Sequence, residues 1–457
     1  MLVAISDLHL DDGTCGKSLP VEAFAIFRVR LEQLAFAASW RTDGAYRPLK
    51  SIDLLLLGDI FELIHSTHWL KNKSGEPGYV RPWSDPNSSE LAEKILEITQ
   101  AIVEHNSPSM LVLQEMAHAE GVTLPPINAM GQPALDTYDR IPVPVNIYYM
   151  VGNHDWFYHL PGEAYHRSRQ LIIEAMGLQN TAAPIPYEAH EWEYLVELFE
   201  KYHIFARHGD YYDKWCYNPR LGRDVATLSD ALSIELVTRF PQEVEKSLGT
   251  TLPENFYQGL RELINVRPNV AVPLWVGSQI KHYGLTERMS AALKDIWNEL
   301  VIEFLKLDFV HALDEKWDPF DSVDELELVL KLTRWTSLEN FNKAIMLVKS
   351  KLFDVDTSFV KHAMKEAAFR SRKANFIVYG HTHHHETIPL DLYTHQGKEV
   401  YQFLVNTGTW RSYYDLTRYH PEQQKFLPFQ LMSYLAFFTG DEHRGRRHEA
   451  FFNILDR

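Results

Sequence analysis

Apolar positions along this chain fall into two patterns. Strand-like, largely apolar runs lie at 2–6, 52–57, 145–151, 202–207 and 374–379, and they predict β-strands buried on both faces. Between them, apolar residues recur at helical spacing. Phe24, Phe27, Leu31 and Leu34 share one face of 22–38, and Leu91, Ile95, Ile98 and Ile102 share one face of 91–103. Strands alternating with amphipathic helices predict a layered α/β fold. The stretch from 400 to about 431 reads as β-rich and is expected to complete a second sheet.

Two long segments interrupt this alternation. The first, about 66–144, is rich in Pro, Gly, Ser and Asn and holds at least one helix. The second, about 217–370, reads as largely helical, with 228–240, 290–307 and 323–332 as its helices and Trp275, Trp297, Trp317 and Trp335 spread through it. The expected division is a core of 1–216 and 371–457, carrying the 66–144 segment, with 217–370 as a mainly helical insertion that caps the functional site. Packing is one role for such a cap and substrate selection the other. The aromatic stretch 427–438 is expected to be a late core strand or helix, with peripheral membrane contact as its alternative. No internal repeat is visible.

Composition narrows the function classes. The 457 residues hold 45 Lys and Arg against 61 Asp and Glu, a formal charge of −16. No basic block offers the footprint that long nucleic acid requires, so such a partner is disfavoured. Two cysteines, Cys15 and Cys216, supply neither a disulfide framework nor metal-type spacing and suit a reducing compartment. A strand opens the chain where a secretory signal would lie, and no apolar run is long enough to span a membrane. A cytoplasmic location is expected.

The chemistry lies where the strand-like runs end. Asp7-Leu8-His9, Gly58-Asp59, Gly152-Asn153-His154-Asp155, His208-Gly209-Asp210 and Gly380-His381-Thr382-His383 each follow one of the five apolar runs. Taken singly these signals are weak. A lone Asp-x-His is usually a surface Asp or a capping His, Asp59 alone would read as a helix N-cap, and a lone histidine is more often structural than a ligand. Together they change the reading. Side chains at i and i+2 of an extended segment share a side, so Asp7 and His9 can reach one ion. An Asp directly after four buried leucines must be paired, capped or metal-bound. Asn153 offers a hard neutral oxygen and leaves the adjacent His154 free to face a substrate. Imidazole and oxygen donors gathered at strand ends are what a two-metal hydrolytic site needs.

These motifs, in this order, resemble those of the calcineurin-like metallophosphoesterases, whose pattern is D-x-H, GD, GNH[DE], a later H and GHxH. The match runs from residue 7 to residue 383 and leaves the two long segments uncovered. The resemblance implies a four-layer sandwich of two mixed β-sheets flanked by helices, around two divalent metal ions. It implies that Asp7, His9 and His383 bind the first ion, that Asp59 bridges both, and that Asn153, His208 and His381 complete the second. His154 would be the catalytic histidine, with Asp155 orienting it. The implied reaction is hydrolysis of a phosphomonoester, phosphodiester or pyrophosphate bond of a small phosphorylated substrate by a hydroxide bridging the ions. Oxygen-rich donors without thiolates favour manganese, with Fe, Zn, Co or Ni as alternatives. The wording Ser6-Asp7-Leu8-His9-Leu10 and Gly58-Asp59-Ile60-Phe61-Glu62 is similar to the branch containing UDP-2,3-diacylglucosamine pyrophosphatases. The chain departs from that branch in having His154 where an Arg stands, and in its length.

Around the motifs, Arg207, Tyr211, Tyr212 and Arg411 are neighbours in sequence that could contact phosphate. His384 and His385 are expected to support the site or face solvent, and Asn406-Thr407-Gly408-Thr409-Trp410 to pack beside it. Two competing functions share the fold: a nuclease, which the acidic charge disfavours, and a metal-free scaffold, which predicts missing ligands where this chain lacks none.

Overall fold

The computed structural model describes residues 1–267, 271–313, 359–417, 423 and 425–454. The expected helix at 323–332, Trp317 and Trp335 lie outside the described residues. Five strands form one mixed sheet in the order β14 (His448–Ile454), β13 (Leu431–Phe437), β1 (Leu2–Ile5), β2 (Ile52–Leu57) and β5 (Val145–Met150). β1, β2 and β5 run parallel, and the late strands β13 and β14 add antiparallel to the β1 edge. A second mixed sheet has the order β6 (Ile204–Ala206), β8 (Phe376–Tyr379), β10 (Lys398–Thr407) and β9 (His385–His395).

Burial explains why the first strands read as largely apolar runs. Leu2 and Ala4 of β1, Leu55 and Leu57 of β2, and Tyr148 and Met150 of β5 pack against Phe376, Val378, Ala206 and Val405 of the second sheet. The alternate residues Val3, Ile5, Leu54, Leu56, Ile147 and Tyr149 join the core under the helices α1 (Ala23–Ala38), α2 (Ser89–His105), α3 (Ser107–Ala117) and α4 (His166–Met176). Both faces of the sheet are thus dry, which removes the polar alternation of a half-exposed strand. The second sheet has a further small core on its far face, around Ile377, Tyr379 and Leu404. The fold is mixed α/β, with two sheets packed face to face.

Local signals set the helices. Phe24, Phe27, Leu31 and Leu34 are buried on α1 as their spacing predicts. Ser88 caps α2 by accepting from Leu91 N, satisfying one of the amides that a helix start leaves unpaired. Trp410 is fully buried between Phe24 and Phe27, and its indole N–H donates to Ser433 O at 2.7 Å. That contact ties the late strands to the first helix.

The segment after β6 builds a separate core from α6 (Leu228–Leu232), a π-helical stretch at Ser233–Thr238, α7 (Arg239–Leu248), α8 (Glu254–Arg261), α9 (Val272–His282) and α10 (Glu287–Leu305). Trp275 and Trp297 are buried in it. It also contains strand: β7 (Val266–Arg267) pairs parallel with β11 (Tyr413–Leu416), which continues antiparallel to β12 (Phe426–Phe429). The 427–438 stretch divides between β12 and β13, and residues 432–438 are buried. Thr123–Leu124 (β3) and Ile141–Pro142 (β4) form a short antiparallel pair. Among the described residues no helix is long and apolar enough to cross a membrane.

Candidate metal centre

All five motifs leave the C-terminal ends of parallel strands. Asp7 follows β1, Asp59 follows β2 and Asn153 follows β5 in the first sheet, while His208 follows β6 and His381 follows β8 in the second. Each chain must turn sharply there. Asp7, His9, Asp59, His381 and His383 all adopt left-handed backbone with φ of 50°, 45°, 52°, 70° and 65°. Such conformations cost on the order of 1–3 kcal/mol each and cluster at functional sites. Two glycines make room. A Cβ on Gly152 would collide with the Asp59 carboxylate, and one on Gly380 would lie 2.5 Å from an Asp7 oxygen.

The result is a cluster in which two groups of donors converge: Asp7, His9 and His383, and beside them Asp59, His208 and His381. These are the residues that the motifs singled out, and Asn153 joins the second group with its Oδ1 3.0 Å from His381 Nδ1.

Hydrogen bonds behind the imidazoles decide what they present to the cluster. A carboxylate or carbonyl only accepts, so the ring nitrogen facing it must donate. His9 Nδ1 donates to Glu62 Oε2 at 2.9 Å, His208 Nδ1 to Leu57 O at 3.0 Å, and His381 Nε2 to Asp213 Oδ2 at 3.2 Å. In the neutral imidazole the other nitrogen then carries a lone pair. Two of those lone pairs meet acceptors: His381 Nδ1 faces Asn153 Oδ1, and His208 Nε2 lies 3.1 Å from Asp59 Oδ2; the third, on His9 Nε2, lies 3.0 Å from His383 Nε2, whose ring accepts from Arg267 Nη2 at Nδ1. The buried His208 Nε2 makes no aligned hydrogen bond despite that distance. Acceptors turned toward one another in a dry interior repel unless a cation or proton lies between them. The donor set is therefore one that could hold metal ions, its imidazoles oriented from behind as metal-ligating histidines are.

Charge in the cluster agrees. Burial raises Asp7 above the usual carboxylate range. Burial also pushes Asp59 upward, but the His208 and His154 imidazoles outweigh it and hold the carboxyl well below its ordinary value. His208 is driven down by burial and more strongly up by Asp59 and Asp7, ending well above the usual imidazole value. A proton is thus drawn into the gap, and metal binding there would release it. The His9 and His383 imidazoles are held below their ordinary value, chiefly by burial, which favours their neutral form.

His154 stands beside the cluster. Its backbone N–H donates to Asp59 Oδ1 at 2.8 Å, and its Nδ1 donates to Glu62 Oε1 at 2.8 Å, leaving Nε2 4.0 Å from Asp59 Oδ2. Burial opposes its protonation, but Glu62 and Asp59 raise its pKa to about 9.

The orienting residue differs from the expectation. Asp155 does not hold His154. Its Oδ2 accepts from Ile60 N at 2.7 Å and Tyr149 OH at 2.5 Å, and its Oδ1 from Gly152 N at 2.6 Å. Asp155 closes the turn that joins the second and third motifs, and its side chain is saturated there. Glu62 does the orienting, and it serves His9 with its other oxygen. Its position three residues after Asp59, on the same strand-end loop, was the only sequence signal for it. Asp213 was missed for a similar reason, since it lies past the motif that ends at Asp210. Asp210 itself turns away to an ion pair with Arg223 at 2.7 Å.

Candidate phosphate contacts are also redistributed. Arg207 pairs with Glu188 and Glu366. Arg411 is 3% exposed and spends its donors on Asn265 Oδ1, His9 O, Cys15 O and Asp11, so it is a structural clamp. Tyr212 donates to Glu366. His384 pairs with Asp415 at 3.0 Å, and Asn406 donates to Gly380 O at 2.7 Å, bracing the last motif. Cys216 lies near Asp213 and His381, but burial raises its pKa and keeps it a thiol.

Among its described residues the inserted segment meets the cluster in several places, one of them Phe359, whose ring centre lies 6.3 Å from that of His381. Thr238, from the π-helical stretch, meets His65 Nδ1 at 3.0 Å, and the His65 ring centre lies 5.6 Å from that of His154. Arg267 of β7 places Nη2 3.0 Å from His383 Nδ1. Compared with protein-family models, curated proteins and solved structures, the chain matches none of them.

Proposed function

We propose that this protein is a metal-dependent phosphohydrolase of the calcineurin-like metallophosphoesterase type, acting on a phosphomonoester, phosphodiester or pyrophosphate bond of a small substrate. One observation carries the reading: two groups of buried donors, turned toward each other by hydrogen bonds behind their imidazoles, converge beside a histidine that belongs to neither. The four-layer sandwich of that family is consistent with two face-to-face sheets whose motifs leave the same strand ends.

Asp7, His9 and His383 would hold one divalent ion, and Asn153, His208 and His381 the other, with Asp59 between them. Manganese suits the imidazole and oxygen donors best; Fe, Zn, Co and Ni are alternatives. Bound ions would lower the pKa of water and offset charge on the phosphoryl oxygens. The chain's own residues supply the remainder. The Asp59 carboxylate fixes the His154 loop through its backbone N–H. Glu62 holds the His154 ring with Nε2 toward the cluster and favours its protonated form, placing a proton where a departing oxygen needs one.

The test is metal analysis of protein purified without chelator, together with turnover of p-nitrophenyl phosphate, its bis ester and a nucleotide panel with added manganese. Wild type is expected to carry two ions and to turn over at least one substrate. His154→Ala is expected to lose about 10²–10⁴-fold in rate while keeping metal, and Asp59→Ala to lose both metal and activity. Equal rates for wild type and both variants would defeat the proposal.

A further inference from the structure

Arg267 lies outside every motif and comes from the segment between the fourth and fifth of them. Three features place it deliberately. β7 pairs in parallel with β11, so that Arg267 lies opposite Asp415, and Asp415 in turn holds His384 at 3.0 Å. Asn265, just before β7, accepts from Arg411 Nε at 2.8 Å, and the same guanidinium donates to His9 O at 3.0 Å. The inserted segment is therefore latched to the backbone of the first motif. Finally, Arg267 Nη1 donates to the carbonyls of Ile264 and Val266 at 3.0 and 3.1 Å, which sets the direction of the fork and turns Nη2 toward His383.

This arrangement puts a permanent positive charge against a residue that would ligate metal. Next to the carboxylates of Glu62 and Asp7 such a charge is favourable. Next to two bound divalent ions it is unfavourable, because those ions already exceed the carboxylate charge. An anion between guanidinium and metal removes the conflict, and a phosphoryl group is the anion this site would receive. Arg267 is only half-buried, unlike Arg411.

We propose that Arg267 is the contact by which the inserted segment grips the phosphoryl group of the substrate, donating from its Nη2 edge to a non-bridging oxygen. The proposal rests on the hydrolase reading and adds to it a substrate-binding residue that the motifs do not contain. A structural alternative makes a different prediction: if Arg267 merely braced His383, its loss would release metal.

The experiment compares wild type, Arg267→Gln and Arg267→Lys, each loaded with manganese. Metal content is measured directly, inorganic phosphate affinity by calorimetry, and KM and kcat with whichever substrate wild type hydrolyses. Arg267→Gln is expected to keep two ions while its phosphate affinity falls about tenfold or more, the scale of one hydrogen bond between charged groups. Arg267→Lys should recover part of that affinity, since it keeps the charge and loses the fork. Melting curves show whether each variant is folded; should Arg267→Gln not fold, Arg267→Lys carries the comparison. Unchanged phosphate affinity at full metal content would overturn the proposal, and so would loss of metal in both variants. Wild type that binds no metal and turns over no substrate would defeat the hydrolase reading itself, a result visible before any variant is made.

Discussion

The two donor groups are built from the same kinds of residue but supported differently. Asp7, His9 and His383 are 0%, 1% and 5% exposed; a buried carboxylate, Glu62, stands behind His9, and Arg267 stands behind His383. Asp59 and His208 are equally buried and Asn153 is buried too, but His381 is only partly buried, and its support, Asp213, has a side chain 38% exposed. Glu62 serves a ligand and the free histidine at once, so the inner group is mechanically joined to His154. The outer group is braced by the Leu57 carbonyl and by a residue near solvent. The inner half should therefore transmit any change to the chemistry, and the outer half should tolerate change as a loss of affinity alone.

The strongest way to break this contrast is Glu62→Gln. It keeps the shape and removes the charge from both imidazole contacts. Turnover is expected to fall about a hundredfold. The alkaline limb of the pH–rate profile should also move to lower pH, because the carboxylate that most favours protonated His154 is gone. An unchanged limb would mean that Glu62 does not set the His154 proton.

A smaller effect is expected from Asp213→Asn. Removing the carboxylate behind a metal-ligating histidine typically weakens metal binding about 10–100-fold. Calorimetric titration should show one weakened site and one unaffected site. Equal weakening of both would show that the halves are not separately supported.

The smallest effect lies outside the cluster. His159 donates to Asp224 at 2.7 Å and to Glu191 at 3.0 Å, and these contacts outweigh burial to raise its pKa to about 9. The folded form thus holds the proton more tightly than the unfolded chain. Its contribution is fully present below the unfolded value near 6.5 and is lost as pH rises through about 9. With all three side chains partly exposed, the contribution is on the order of 1 kcal/mol. Denaturation midpoints of wild type should fall across that window, and those of His159→Gln should stay flatter, with no effect on turnover at fixed pH. A change in metal content in this variant would contradict the separation between structural and site imidazoles.

Much of the site was legible because its donors sit in short motifs at the ends of apolar runs. A strand buried on both faces has no polar alternation, so its end is marked by the first charged residue, and ligands gather there because the strand ends converge in an α/β sheet. What lay beyond reach were residues whose role depends on direction. Asp155 adjoins His154 in sequence, yet its turn points it at Ile60 N and Gly152 N, while Glu62, 92 residues away in sequence, meets the ring. Arg207 and Arg411 adjoin motif residues, yet internal partners take up their donors.

The fold divides in the same way. Local periodicity is enough to place α1 and α2, and largely apolar runs are enough to place β1, β2 and β5, because the signal of each lies in its own residues. The two-residue strand β7 has no such signal: it exists because β11, some 150 residues later, offers it a pairing edge. By itself the sequence determined which residues gather at the strand ends and the chemistry their donors suit. Only the tertiary structure decided which carboxylate holds the free histidine and which arginine reaches the site, since hydrogen bonds across distant segments depend on orientation that no spacing encodes.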